Sequence, residues 1–291
     1  MARWDNRRRS DNVERVGGRT IGVGLIVGIL RLIFSRFGFA GILVAAAGYF
    51  ALSALGHDPL KLVAGLSSGT ETQGSAQPSP YDDRVAAVVG STEDVWSAIF
   101  SEQGFGEYPE PKVTLYRQGV RTGCGYGTSA IGPFYCPQDQ RIYLDTDFFD
   151  ALKKRFGVAG DFPADYVIAH EVGHHVQNAL GILDQTKEFQ DLVSRWEANQ
   201  LQVRIELQAD CLAGLWASRE RQAVEPGDIE EAQDAAEAIG DDRLQEQSGG
   251  VINPDSFTHG TSAQRMRWFM RGFQSGQFAD CDTFRIEYDD L

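Results

Sequence analysis

Cysteine and histidine are scarce in this chain, four and five among 291 residues. Four cysteines without a C-x-x-C pair exclude a disulfide miniprotein and argue against a cysteine-based zinc site. Basic charge is missing where a nucleic-acid binder would need it. The net charge is −14, and residues 1–56 hold eight Arg against Asp5, Asp11 and Glu14, so their +5 leaves −19 on the remainder. An acidic body lacks the patch that phosphates require, so no nucleic-acid partner is expected. The 32 glycines show no three-residue period, no heptad persists and no internal repeat is visible, which excludes collagen, coiled coil and solenoid. What remains, 42% hydrophobic and 23% charged, is the composition of a folded globular chain.

Long hydrophobic runs are also few. From Phe37 to Leu55 nineteen residues carry no charge, about enough to cross roughly 30 Å of hydrocarbon at 1.5 Å per residue. A shorter run, Ile21 to Leu30, is cut off from it by Arg31 and Arg36 and reads as interfacial. Arg3, Arg7, Arg8, Arg9, Arg15 and Arg19 precede the span. The positive-inside rule then predicts a cytoplasmic N-terminus, with everything after Leu55 outside. A cleaved signal peptide, with Ala51-Leu52-Ser53 as a faint cleavage site, competes with this reading, but the stretch before the apolar run is long for that class. Residues 65–80, rich in Gly, Ser, Thr, Gln and Pro, read as a tether. The expected division is therefore a basic cytoplasmic or juxtamembrane segment (1–36), a transmembrane helix (37–55) that makes the lipid bilayer a partner, a flexible linker (56–80) and one domain (81–291).

All four cysteines fall in the part expected to be exported, where an even count favours two disulfides. Cys124 and Cys136 flank a Gly-rich stretch that suits a hairpin, so local pairing is favoured, leaving Cys211 with Cys281.

The strongest chemical signal is His170-Glu171-Val172-Gly173-His174, an H-E-x-x-H. On a helix, residues at i and i+4 share a face, so His170 and His174 can both reach one metal ion. Glu171 flanks that ion and suits a general base for water activated by it. A helix is expected here: Asp161 can N-cap it, Pro163 fits its first turn, Ile168, Val172, Val176 and Leu180 form an apolar stripe, and Gly181 suits the stop. His175 points elsewhere and reads as a packed histidine. A hydrolytic zinc site needs a third protein ligand and an open position. Glu206, on a second helix expected over about 197–219, fills that need, and Asp210 one turn on suits the acceptor of a ligand histidine's N–H. Glu and Asp at that spacing are also common on plain charged faces, and only the H-E-x-x-H tips the reading. His57 lies beside the expected span and is set aside. His259 precedes a helix announced by a Thr261/Gln264 capping box and carrying Met266, Phe269 and Met270. From that loop it could stabilise an oxyanion, or simply be solvated.

Longer stretches carry a resemblance. RTGCGYG, GPFYCPQDQRIYLD, DYVIAHEVGHHVQ, ELQADCLAGLWA, IGDDRLQ and SFTHGTSAQRMRWF resemble the YpfJ-like family of neutral zinc metallopeptidases, bacterial proteins with a basic N-terminus, one membrane span and an H-E-x-x-H domain. The E-x-x-A-D after H-E-x-x-H is similar to that of gluzincins. This implies one Zn2+ per chain on His170, His174 and Glu206, Glu171 as general base and Asp210 behind a histidine. Thr258-His259-Gly260 with Arg265 matches a further gluzincin motif, which implies His259 as oxyanion stabiliser, although that motif usually has Pro where Gly260 stands. The implied home is the bacterial inner membrane, single-pass, with the catalytic domain extracytoplasmic. The zincin plan lays substrate antiparallel to an edge strand, for which RIYLDT (141–146) is a candidate, with a plain core strand as the alternative.

The expectation is an α+β, zincin-like domain with an active-site helix, after one N-terminal transmembrane helix. Its expected activity is hydrolysis of peptide bonds in a protein or peptide substrate, as a zinc-dependent metalloendopeptidase. The alternatives are a zinc amidase acting on cell-wall peptides and a non-catalytic, zinc-stabilised binding module.

Overall fold

The computed structural model describes residues 4–16, 79–117, 119–128, 131–154, 160–247 and 252–291. The expected span at 37–55, the run at 21–30 and the linker as far as residue 78 lie outside the described residues. Among the described residues no helix is long and apolar enough to cross a membrane.

A mixed sheet forms the base of the fold, in the order β1-β2-β6-β5. Its centre is the parallel pair β2 (Lys112–Tyr116) and β6 (Arg141–Asp145), in which Val113, Leu115, Ile142 and Leu144 are all buried. β1 (Val13–Arg15) adds in parallel to β2, and β5 (Phe134–Cys136) adds antiparallel to β6. RIYLD is therefore an interior strand, and the edge beside it is β5. Ile142, Tyr143 and Leu144 are buried alike, so the polar–apolar alternation expected of a half-exposed strand is not there. A separate hairpin pairs β3 (Gly119–Thr122) with β4 (Gly125–Thr128).

Eight described α-helices accompany the sheet, giving the expected mixture of helix and strand. They are α1 (Asp82–Gln103), α2 (Thr146–Lys154), α3 (Phe162–Ala179), α4 (Ile182–Gln190), α5 (Arg195–Arg219), α6 (Asp228–Ala238), α7 (Asp241–Gln247) and α8 (Ser262–Ser275). Two of them start on capping boxes, Ser194 with Glu197 for α5 and Thr261 with Gln264 for α8. The core between sheet and helices is one cluster built on Trp96, Phe100, Phe149, Phe162, Trp216 and Phe269. Both favoured disulfides are present, Cys124–Cys136 and Cys211–Cys281.

The expected start of the folded body near Tyr81 needs correction. Residues 1–16 and 77–291 cluster as one compact unit, and residues 4–16 run through it as a strap. Trp4 is 4% exposed, stacks on Trp216 at 5.6 Å and donates its indole N–H to Asp165 at 2.7 Å. Ser10 N–H donates to Ala86 O at 2.9 Å, and Val16 N–H to Leu115 O at 3.0 Å. Four of the eight arginines counted in the sequence as basic charge have carboxylate partners: Arg7 meets Glu220, Arg8 meets Glu93 and Asp94, Arg9 meets Asp83 and Arg15 meets Asp82. Charge counting along the chain cannot see partners that lie far off in sequence.

Candidate metal centre

Helix α3 carries the centre, and its N-terminal end is fixed from outside. Asp161 stands at the N-cap, but its side chain makes no capping bond and pairs with Arg84 instead. The cap comes from α6, where Glu231 accepts the N–H groups of Asp161 and Phe162 at 3.2 Å each. Glu231, Asp161 and Asp228 bring three carboxylates together, and each has a partner: Arg84 for Asp161, these amides for Glu231 and the Glu225 N–H for Asp228. Ile168, Val172 and Val176 face the core as expected, and Gly181, with φ 73°, follows the last turn.

His170 and His174 project from α3 towards α5. Gly173 makes the approach possible, because a Cβ there would lie 3.0 Å from Ala209 O. Across this contact, Glu206 Oε2 is 3.3 Å from His170 Nε2, and Glu206 Oε1 is 3.7 Å from His174 Nε2. Ligands bonded to one tetrahedral zinc at about 2.0–2.2 Å stand roughly 3.3–3.6 Å apart, so the donor set fits that ion. His170 and Glu206 are buried and His174 nearly so. Among the described residues this cluster has three members, which leaves a tetrahedral position open.

Behind each histidine stands a hydrogen-bond partner that fixes its tautomer. His170 Nδ1 lies 2.8 Å from Asp210 Oδ1. Asp210 is wholly buried and also accepts from Tyr166 OH at 2.6 Å, from Arg265 Nε at 2.9 Å and from Arg265 Nη2 at 3.0 Å. Burial pushes its carboxyl upward, but Arg265 and His170 outweigh that and hold it below the usual carboxylate range. His174 Nδ1 lies 2.9 Å from Gln177 Oε1. Gln177 in turn donates to Ile205 O at 2.8 Å and to Gln208 Oε1 at 2.9 Å, and Gln208 donates to Cys281 O at 3.1 Å. The second histidine is thus tied through two glutamines to the Cys211–Cys281 disulfide. Glu171 is buried beside the ligands, and burial raises its carboxyl above the ordinary value against the pull of His174 and His170.

His259 stands at the margin of this centre. Its Nδ1 lies 3.1 Å from Asp241 Oδ1 and from Thr258 Oγ1, and its backbone N–H donates to Asp241 Oδ2 at 2.6 Å. That contact raises the imidazole pKa, to which the charge of Glu206 also adds. Nε2 is left to point away from Asp241. Gly260, the departure from the gluzincin motif, has φ +81°, a value closed to proline and costly for other residues. A Cβ there would also press on Leu207 and Val203. His175 is packed between the Tyr108 and Tyr135 rings, with Pro109 O at one nitrogen and Tyr135 OH at the other, and burial lowers its pKa. Sequence reasoning missed Gln177, Tyr166, Gln208 and Asp241.

A buried His–His–Glu centre on two packed helices, in a mixed helix and sheet fold, defines a metalloprotein of the H-E-x-x-H class. A family model described as "Putative neutral zinc metallopeptidase" matches residues 2–284, and the chain belongs to that family. YpfJ of Escherichia coli (strain K12) is 46% identical over 97% of this chain and 98% of its own. Mb2605 of Mycobacterium bovis and Rv2575 of Mycobacterium tuberculosis (strain H37Rv) are each 44% identical over 69% of this chain and 70% of theirs. No solved structure matches. The family's cofactor is zinc, and His170, His174 and Glu206 form a site able to hold it.

Proposed function

We propose that the protein hydrolyses peptide bonds at the His170–His174–Glu206 centre. One observation carries this reading: the three donors leave a coordination position open, and Glu171, buried beside them, is not one of the three. A purely structural zinc site fills all four positions with protein atoms. When bound, zinc supplies a Lewis acid that polarises a carbonyl and acidifies water. Glu171 takes the proton from the attacking water and passes it to the leaving nitrogen, in a pocket whose burial favours the protonated carboxyl once formed. Asp210 and Gln177 hold the two imidazoles in the tautomer that presents Nε2 to the metal. His259, its Nδ1 turned to Asp241, offers Nε2–H to the oxyanion of the tetrahedral intermediate. The edge strand β5, antiparallel to β6, is the place for an extended substrate to pair.

The test combines zinc stoichiometry with hydrolysis of a denatured protein by wild type and by Glu171→Ala. One zinc in both, with hydrolysis reduced by about 10²–10⁴ in the variant, is the expected result for loss of a general base. Zinc in both with no peptide cut by either would turn the reading towards another amide, such as cell-wall peptides, or towards a binding module.

A further inference from the structure

The strap sets a membrane topology different from the one its charge suggests. We infer that residues 4–16 and residues 79–291 lie on the same side of any membrane the chain enters, so that the residues between them make an even number of crossings. Three contacts carry the inference, and none involves the intervening residues. The first is strand pairing, since β1 runs in register with β2 as Val13↔Val113, Glu14↔Thr114 and Arg15↔Leu115. The second is Trp4, set in the same core as Trp216 and bonded to Asp165 of the helix that carries the metal ligands. The third is the arginine set, four of whose members contact Glu220, Glu93, Asp94, Asp83 and Asp82. None of these bonds can form across about 30 Å of hydrocarbon.

The single-pass expectation treats Arg7, Arg8, Arg9 and Arg15 as cations that hold the N-terminus in the cytoplasm. In the folded protein they are counter-ions to the acidic body. The family match also begins at residue 2 and so takes in the strap. Between strap and body the sequence supplies two apolar runs, Ile21–Leu30 and Phe37–Leu55; the first is ten residues, so an even count is either none or two with the first crossing lengthened through Arg31. The disulfides name the side: Cys124–Cys136 and Cys211–Cys281 form in an oxidising compartment, and the strap shares it.

The experiment labels the full-length chain in intact bacterial spheroplasts with a membrane-impermeant maleimide. It compares Asn6→Cys with Leu192→Cys, both at exposed positions. Equal labelling before lysis, or labelling of both only after lysis, supports the inference. Labelling of Leu192→Cys before lysis and of Asn6→Cys only afterwards overturns it. A second readout guards against a local disturbance at residue 6. In the otherwise unchanged chain, a short protease-sensitive tag ahead of Met1 is cut or spared in intact spheroplasts together with the body, and cutting of one with sparing of the other overturns the inference.

Discussion

Arg265 and Arg9 each grip an aspartate, one in the metal centre and one in the strap, and the surroundings give the two pairs different work. Arg265 and Asp210 are 2% and 0% exposed, with Tyr166 and His170 completing the contact. Arg9 and Asp83 are 33% and 75% exposed. A buried pair that loses one partner leaves an uncompensated charge, whereas an exposed pair gives its ions back to water. The centre is therefore held by polar groups that cannot be removed singly. The strap is held by one indole, one strand and the pairs that Arg8 and Arg7 make with buried Glu93 and Glu220, while Arg9 pairs with the exposed Asp83.

The largest effect should come from Arg265→Met. It strands Asp210 in the interior and is expected to lower stability by about 3–5 kcal/mol, read by denaturant unfolding, with weaker zinc binding alongside. A loss below about 1 kcal/mol would erase the contrast between the two regions. Next is Trp4→Ala, which empties a core position and should cost about 3 kcal/mol in the same assay, at the low end for buried aromatics. No change there would show that the strap is dispensable. Smaller again is Gln208→Met, which cuts the chain from His174 to Cys281 O and should weaken zinc binding roughly tenfold, as outer-shell changes do. Competition with a chromophoric chelator reads this directly, and reducing the Cys211–Cys281 disulfide should move affinity the same way. The smallest effect belongs to Arg9→Ala, expected within about 1 kcal/mol and vanishing at high salt. A larger, salt-independent loss would mean that the strap's ion pairs resemble those of the centre.

The centre was largely legible in the sequence because its parts are local. His170, Glu171 and His174 fall within one turn and a half, and Glu206 with Asp210 repeats the same i, i+4 geometry. Gln177 follows His174 by three residues, but glutamine at that spacing is common on helices and gives no signal by itself. Asp241 meets His259 across 18 residues and Tyr166 meets Asp210 across 44, distances that no periodicity spans. Glu231 replaced the expected Asp161 cap for the same reason, reaching it from 70 residues away. The strap was read only as charge. Three residues, Val-Glu-Arg, are too short to announce a strand, and its partners on α1 lie 67 to 86 residues on, beyond the two apolar runs.

That last separation also governs the order of assembly. Val13 pairs with Val113, 100 residues later. At roughly 5–20 residues per second, synthesis leaves the strap waiting about 5–20 s for its partner strand. Trp4 waits longer, because Trp216 lies on α5. The pairing is parallel and non-local, so it cannot begin until β2 has been made and then closes a long loop. The first residues made are among the last to find their place, and the sheet is completed at its β1 edge only after the rest of the body has been translated far enough to receive it.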